Sequence, residues 1–158
     1  MQREKLGEKN CFLKRKKLGD SKAMKKTFTQ QLFSFLRDQT EITQYLGADD
    51  AIRIGALPDG VALPAVVFTV KNHSTKQNSL HTVQIDKVNL YVVVRPEEEI
   101  VGREILNNIE EVFLNHIGGM IGEAWAYNIE ALRIDEETLH REENTLVFGL
   151  EILIHSRT

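Results

Sequence analysis

From Thr27 onward the apolar positions follow two periods, and the changes between them mark out the elements. Phe28, Leu32, Phe35 and Leu36 recur at helical spacing, which gives one apolar face, with Thr27 placed as the N-cap. Asp38 and Glu41 stand at capping-box spacing, so a second short helix is expected to start at Asp38. It would bury Ile42 with Tyr45 or Leu46 and stop at Gly47. The pattern then changes to alternation. Residues 51–57 form a short strand candidate, with Ile52, Ile54 and Ala56 on one face. Pro58, Asp59 and Gly60 signal a turn. Pro64 opens the β-branched run Ala65–Val70.

Residues 71–80 are polar and lie between two strong strands, which predicts a hairpin loop projecting into solvent. The next strand is expected over about 81–94, and its alternation changes phase. Val83 and Ile85 are odd, whereas Val88, Leu90, Val92 and Val94 are even. A two-residue period cannot shift by one without a local insertion, so a bulge or bend is expected near Asp86 and Lys87.

Pro96 followed by Glu97, Glu98 and Glu99 is a strong helix start, because proline fits the first turn and carboxylates favour the positive end of the dipole. Ile100, Val101, Ile105, Ile109, Val112, Phe113 and His116 then trace one face, with a stop expected at Gly118 and Gly119. Such a helix would be roughly 31 Å long. Two strands close the chain, one over about 124–134 and one over about 144–155, joined by a charged connection at 135–143. The expected order is therefore α–β–β–β–α–β–β, and the fold class is α+β: one domain with a mainly antiparallel sheet packed on a long helix.

Charge changes where the domain begins. Residues 1–26 hold ten basic and three acidic residues, whereas residues 27–158 hold ten basic and twenty acidic ones. The basic segment has too few apolar residues for a buried stripe and no apolar core of a secretory signal. Lys14, Arg15, Lys16 and Lys17 suit phosphate contacts. A solvated disordered tail, or an N-terminal extension upstream of a natural start at Met24, accounts for the same residues. Cys11 is the only cysteine, so neither an intrachain disulfide nor a cysteine-based zinc site within one chain can form.

No catalytic signature emerges. Gly118, Gly119 and Gly122 follow a helix instead of a strand, which suits a helix stop and turn better than a phosphate loop. His73 and His81 lie where a hairpin could bring them together, but no two histidines show metal-ligand spacing on a helix. His116, at the end of the long helix, suits a structural role at the dipole's negative end. The carboxylate clusters at 97–99, 110–111, 135–137 and 142–143 lack the interleaved glycine of a calcium loop. Trp125 and Tyr127 share a strand face and are assigned to the core, with an oligomer contact as the alternative. No catalytic, cofactor-binding or metal residue is expected, and an interaction protein is favoured over an enzyme.

The element order resembles the tail terminator (tail completion, head–tail joining) proteins of long-tailed bacteriophages and prophages. The resemblance covers about residues 27–158. It is carried by the helix Phe28–Leu36, the Ile52–Ile54 strand, the Leu57–Phe68 segment with its two prolines, the strand ending Leu90–Val94, the helix Glu97–Leu114 and the two closing strands. It implies a virion structural protein, assembled in the host cytoplasm, that forms a homo-oligomeric and usually hexameric ring. Such a ring caps the tail tube, ends its polymerisation and joins the tail to the head connector, while genomic DNA passes through. The partners implied are further copies of the chain, the tube protein and the connector protein, with no membrane and no cofactor. The expected contact residues are His73, Ser74, Thr75, Lys76, Gln77, Asn78 and Ser79 in the hairpin, and Glu136, Glu137, His140 and Arg141 in the charged connection. The alternatives are another neck or minor tail protein of the same fold, or a small ligand-binding regulatory module.

Overall fold

The computed structural model describes residues 27–78, 80–134 and 145–158. The expectations for residues 1–26, and for Ser79, Glu136, Glu137, His140 and Arg141, lie outside them. Two short helices lead, α1 (Phe28–Arg37) and α2 (Thr40–Thr43). Strands β1 (Ile52–Ile54), β2 (Ala65–Gln77) and β3 (Thr82–Val94) follow. A 3-10 turn (Pro96–Glu98) then leads into α3 (Glu99–Asn115). Strands β4 (Gly119–Ile121), β5 (Ala124–Arg133) and β6 (Leu146–Arg157) complete the chain. The six strands form one sheet in the order β1-β2-β3-β6-β5-β4, parallel at β1–β2 and antiparallel elsewhere. The fold is α+β.

Thr27 caps α1 as expected. Its hydroxyl accepts from the Gln30 amide at 3.3 Å, and Gln30 Oε1 accepts from the Thr27 amide at 3.0 Å. Asp38, expected to start α2, instead closes α1: its N–H donates to Ser34 O at 3.1 Å, and Gln39 becomes the cap of α2 with no side-chain bond. The aspartate was within reach of both roles, and the carbonyls left at the end of α1 claimed its backbone.

The core lies between the helices and one sheet face. Leu32 and Leu36 of α1 and Ile105, Ile109 and Phe113 of α3 pack on the even positions of β3 and β6, namely Val88, Leu90, Val92, Phe148, Leu150, Ile152 and Ile154. Full burial of each such side chain is worth about 1.5–3 kcal/mol. Helix α3 approaches closely at Gly102, where a Cβ would lie 2.6 Å from the Phe148 ring. Ile100, expected on the buried face, is 81% exposed, because within the regular helix it lies roughly 140–180° around the axis from Ile105, Ile109 and Phe113. The helix ends at Asn115 with His116 as its cap, ahead of the expected glycines, and is about 26 Å long. Those glycines do not simply form a stop and turn. Gly119 to Ile121 pair with Ala124 to Ala126 as an edge strand.

The polar stretch also differs from its expectation. Residues 71–77 are strand, and only the tip turns. The phase change of β3 does not come from an insertion in β3, whose register with β6 is unbroken from Val83 to Val94. The irregularity lies opposite, in β2, between Asn72 and Ser74, against Asp86 and Ile85. A second one lies in β5 between Ala126 and Asn128, against Ser156 and His155. His73 and Tyr127 are thus extra residues within about one position of a common line across the sheet. Beyond that line the polarity of the two faces inverts. The helix-side face carries Asn72, Gln84, Asp86 and Ser156, and the open face carries Val83, Ile85, Trp125 and Tyr127.

Candidate interaction surfaces

Three features stand out once the core is accounted for, and each is built from local chemistry. The first is the β2–β3 arm. Asn78 closes its tip, as its Oδ1 accepts from the Leu80 amide at 3.0 Å and the His81 amide at 2.9 Å. The Asn78 amide donates to His81 O at 3.1 Å. An asparagine that satisfies two amides makes a tight, self-contained turn. The expected contact residues His73, Ser74, Thr75, Lys76, Gln77 and Asn78 all lie on this arm, and apart from the half-buried Ser74 they are exposed. His73 and His81 do not meet: one is the bulge residue and the other belongs to the tip, beside Asn78. Leu80, which sequence reasoning left out of the contact set, is 88% exposed at this tip. A lone leucine in a polar run was the available signal.

The second feature is the open sheet face near β4. The Arg157 guanidinium lies 4.4 Å over the Trp125 ring. The Tyr127 ring is 6.4 Å from that of Trp125 and 6.1 Å from His155, and His155 Nε2 is 3.0 Å from Glu130 Oε2. Trp125 and Tyr127 are therefore not core residues. The bulge at Tyr127 and the odd positions of β6 hold both on the face without helices, and Ala124 and Ala126 take the buried positions instead. Aromatic residues with arginine are the composition enriched at contact surfaces.

The third is a trough of about 440 Å³ along β1, lined by Phe33 and Arg37 of α1, Asp49 and Asp50 before the strand, Ile52, Arg53 and Ile54 within it, and Ala56 and Pro58 after it. Consecutive strand residues point to opposite faces, so a hollow that touches all three must run along the strand's free edge. Asp50 pairs with Arg53 at 2.8 Å, and Arg37 sits 5.6 Å over the Phe33 ring.

The edge at β4 is closed by contrast. His116 Nε2 lies 2.7 Å from Met120 O, so the ring nitrogen donates to the outermost strand's carbonyl, and the same ring packs 4.5 Å from Phe35. The sequence placed His116 at the negative end of the helix dipole; the structure makes it the cap of α3 and gives its ring nitrogen to the sheet edge. Among the described residues no group of three or more His, Cys, Asp or Glu side chains is placed to hold a metal ion, and no helix is long and apolar enough to cross a membrane. Asp86 is buried on the helix-side face, where it accepts from Gln84 Nε2 at 2.6 Å and Asn72 Nδ2 at 3.3 Å. Burial raises its pKa above the ordinary carboxylate value, and the two amide bonds oppose that shift more weakly.

No protein-family model matches the chain, and no curated protein matches it in sequence. Among solved structures, a chain of the virion of a native gene transfer agent (GTA) particle superposes with a TM-score of 0.51 at 11% identity. The match covers 83% of this chain and 92% of that one, so the two share a fold.

Proposed function

We propose that this chain is a structural protein of a phage or phage-like virion, and that within the particle it is a tail terminator. In that role it forms a ring on the end of the tail tube, stops further addition of tube protein and presents the surface that meets the head connector. The observation that carries the reading is the shared fold with a virion chain over nearly all of that chain's length. The order of elements along residues 27–158 supports it, as does a molecule whose distinctive features are contact surfaces. A heterologous contact, one patch against a different patch, closes into a ring when its rotation allows. The net charge of residues 27–158, ten basic against twenty acidic, suits a channel along which DNA must slide without adhering.

Deleting the coding sequence from the phage or prophage that carries it is the direct test. Loss of a terminator leaves filled heads beside free tubes of uncontrolled length, both visible by electron microscopy. Complete particles with tails of normal length would sink the proposal. Heads joined to tails of normal length but lacking another component would point to a different neck or tail role on the same fold.

A further inference from the structure

We infer that copies of the chain stack face to back: the open sheet face of one copy docks on the outward stripe of α3 of the next. Lys71, Lys76 and Arg157 of one copy then meet Glu104, Glu111 and the neighbouring Glu41 of the other. The inference rests on the reading of the chain as a self-assembling virion component and names the contact that assembly uses.

Charge is sorted between the two faces of the molecule. Residues opposite each other in a ladder share a face, so Lys71, Lys76, Lys87 and Arg157 lie on the open face with Glu130 and Glu151. Lys87 is held by Glu151 at 3.2 Å, and Glu130 by His155 at 3.0 Å. Lys71 and Lys76 are exposed and reach no carboxylate among the described residues, and Arg157 lies over Trp125 instead. Lys71 also stands directly opposite Lys87, a like-charge placement that an incoming carboxylate relieves.

The helix layer carries the opposite charge. Residues 96–115 hold six carboxylates and one cation, Arg103. In a regular helix Ile100, Glu104, Asn107, Glu111 and Leu114 fall within about 40° of one line, opposite the buried Ile105, Ile109 and Phe113. Ile100 is 81% exposed and Leu114 39%, so the stripe has apolar ends and an acidic middle. Glu104 accepts from Tyr45 Oη at 3.0 Å, and neither Glu41 nor Glu111 has a cationic partner among the described residues. Glu41, Glu111 and Val112 line a hollow of about 160 Å³ between α2 and α3, a seat for the stem and head of a long cationic side chain. On the open face Trp125 and Tyr127 supply the apolar contact that Ile100 and Leu114 lack. Within one copy the sheet itself stands between the two surfaces, so only a second copy joins them. Two different patches in contact make a heterologous interface, the geometry that closes into a ring.

Carbodiimide coupling tests the pairing, because it joins a lysine to a carboxylate only where the two touch. The full-length chain is treated at low ionic strength, where surface charges act over the longest range. Mixing heavy-isotope-labelled and unlabelled chains marks the links between copies. Mass spectrometry should find Lys71 or Lys76 joined to Glu41, Glu104 or Glu111. Two charge-reversed chains then test the match, one with Lys71→Glu and Lys76→Glu, the other with Glu104→Lys and Glu111→Lys, all at exposed positions. Mixed, they should give coupled dimers at least about tenfold faster than either gives alone, because every self-contact sets like charges face to face. No link between these positions in the parent chain, or no gain on mixing, overturns the proposal. Links from lysines of residues 1–26 to Glu104 or Glu111 in place of those from Lys71 and Lys76 overturn it too, by giving the stripe to the basic segment. If the links are missing while deletion of the coding sequence still yields over-long tubes, the terminator reading stands and only this contact falls. If the deletion has no effect on tails either, both fall.

Discussion

Asp86 is the only buried carboxylate among the described residues, at 4% exposure, and its position follows from β3 keeping register across the bulge line. The even positions of β3 stay on the helix side, so where the apolar run ends at Val88 the next even residue brings a carboxylate under cover. Its pKa is raised, chiefly by burial, so the folded state prefers the protonated form. A raised folded pKa contributes stability that is fully present below the unfolded pKa and is lost as pH rises through the folded value. Asp86→Asn should therefore be more stable than the parent chain near neutral pH, with the difference shrinking as pH falls through the carboxylate range. Chemical denaturation at a series of pH values measures this, and a neutral-pH loss of stability would contradict it. The carboxylate itself is plain in the sequence. Its burial is not, because that depends on which face of a phase-shifted strand the helices cover.

At the scale of elements, the two sheet edges are treated differently. At β4, His116 spends a ring nitrogen on the outermost carbonyl and packs its face on Phe35. Capping an edge in this way protects against unwanted strand pairing. His116→Ala should cost about 1–2 kcal/mol, the sum of one hydrogen bond and one aromatic contact. Amide exchange at Met120 and Ile121 should accelerate while the central strands keep their protection. An unchanged exchange profile would show that β4 is held by its pairing with β5 alone. The element pattern was largely legible beforehand. The N-cap at Thr27, both long inner strands and most of the buried face of α3 lie where the sequence pattern puts them. β4 was not legible, since Gly119–Ile121 is too short for any alternation to register, and it becomes a strand only because Ala124–Ala126 is there to pair with it.

At the scale of the molecule, charge and topology divide the labour. The basic residues concentrate at 1–26 and the acidic excess follows from residue 27 onward. A chain starting at Met24 should fail to retard duplex DNA at physiological salt, because its acidic surface repels phosphates. Retention of DNA binding by that shorter chain, in a gel-shift titration, would remove the argument for a non-adhesive channel. Topology in turn sets β1 and β4 at opposite ends of one sheet, one edge open and the other capped.

The sequence by itself determined what local physics controls: helix and strand periods, the first cap, the turn signals, the α+β class and the absence of a catalytic motif. It also held the resemblance in element order that supports the functional reading. Only the tertiary structure decided where the bulges fall, which face Trp125 and Tyr127 occupy, that Asp86 is buried, and that Leu80 and the β1 trough are both left open. Periodicity reports that a strand has two faces. Which face is covered, and which edge is left without a neighbour, depends on residues distant in the chain, and those relations exist only once the sheet has closed on its helices.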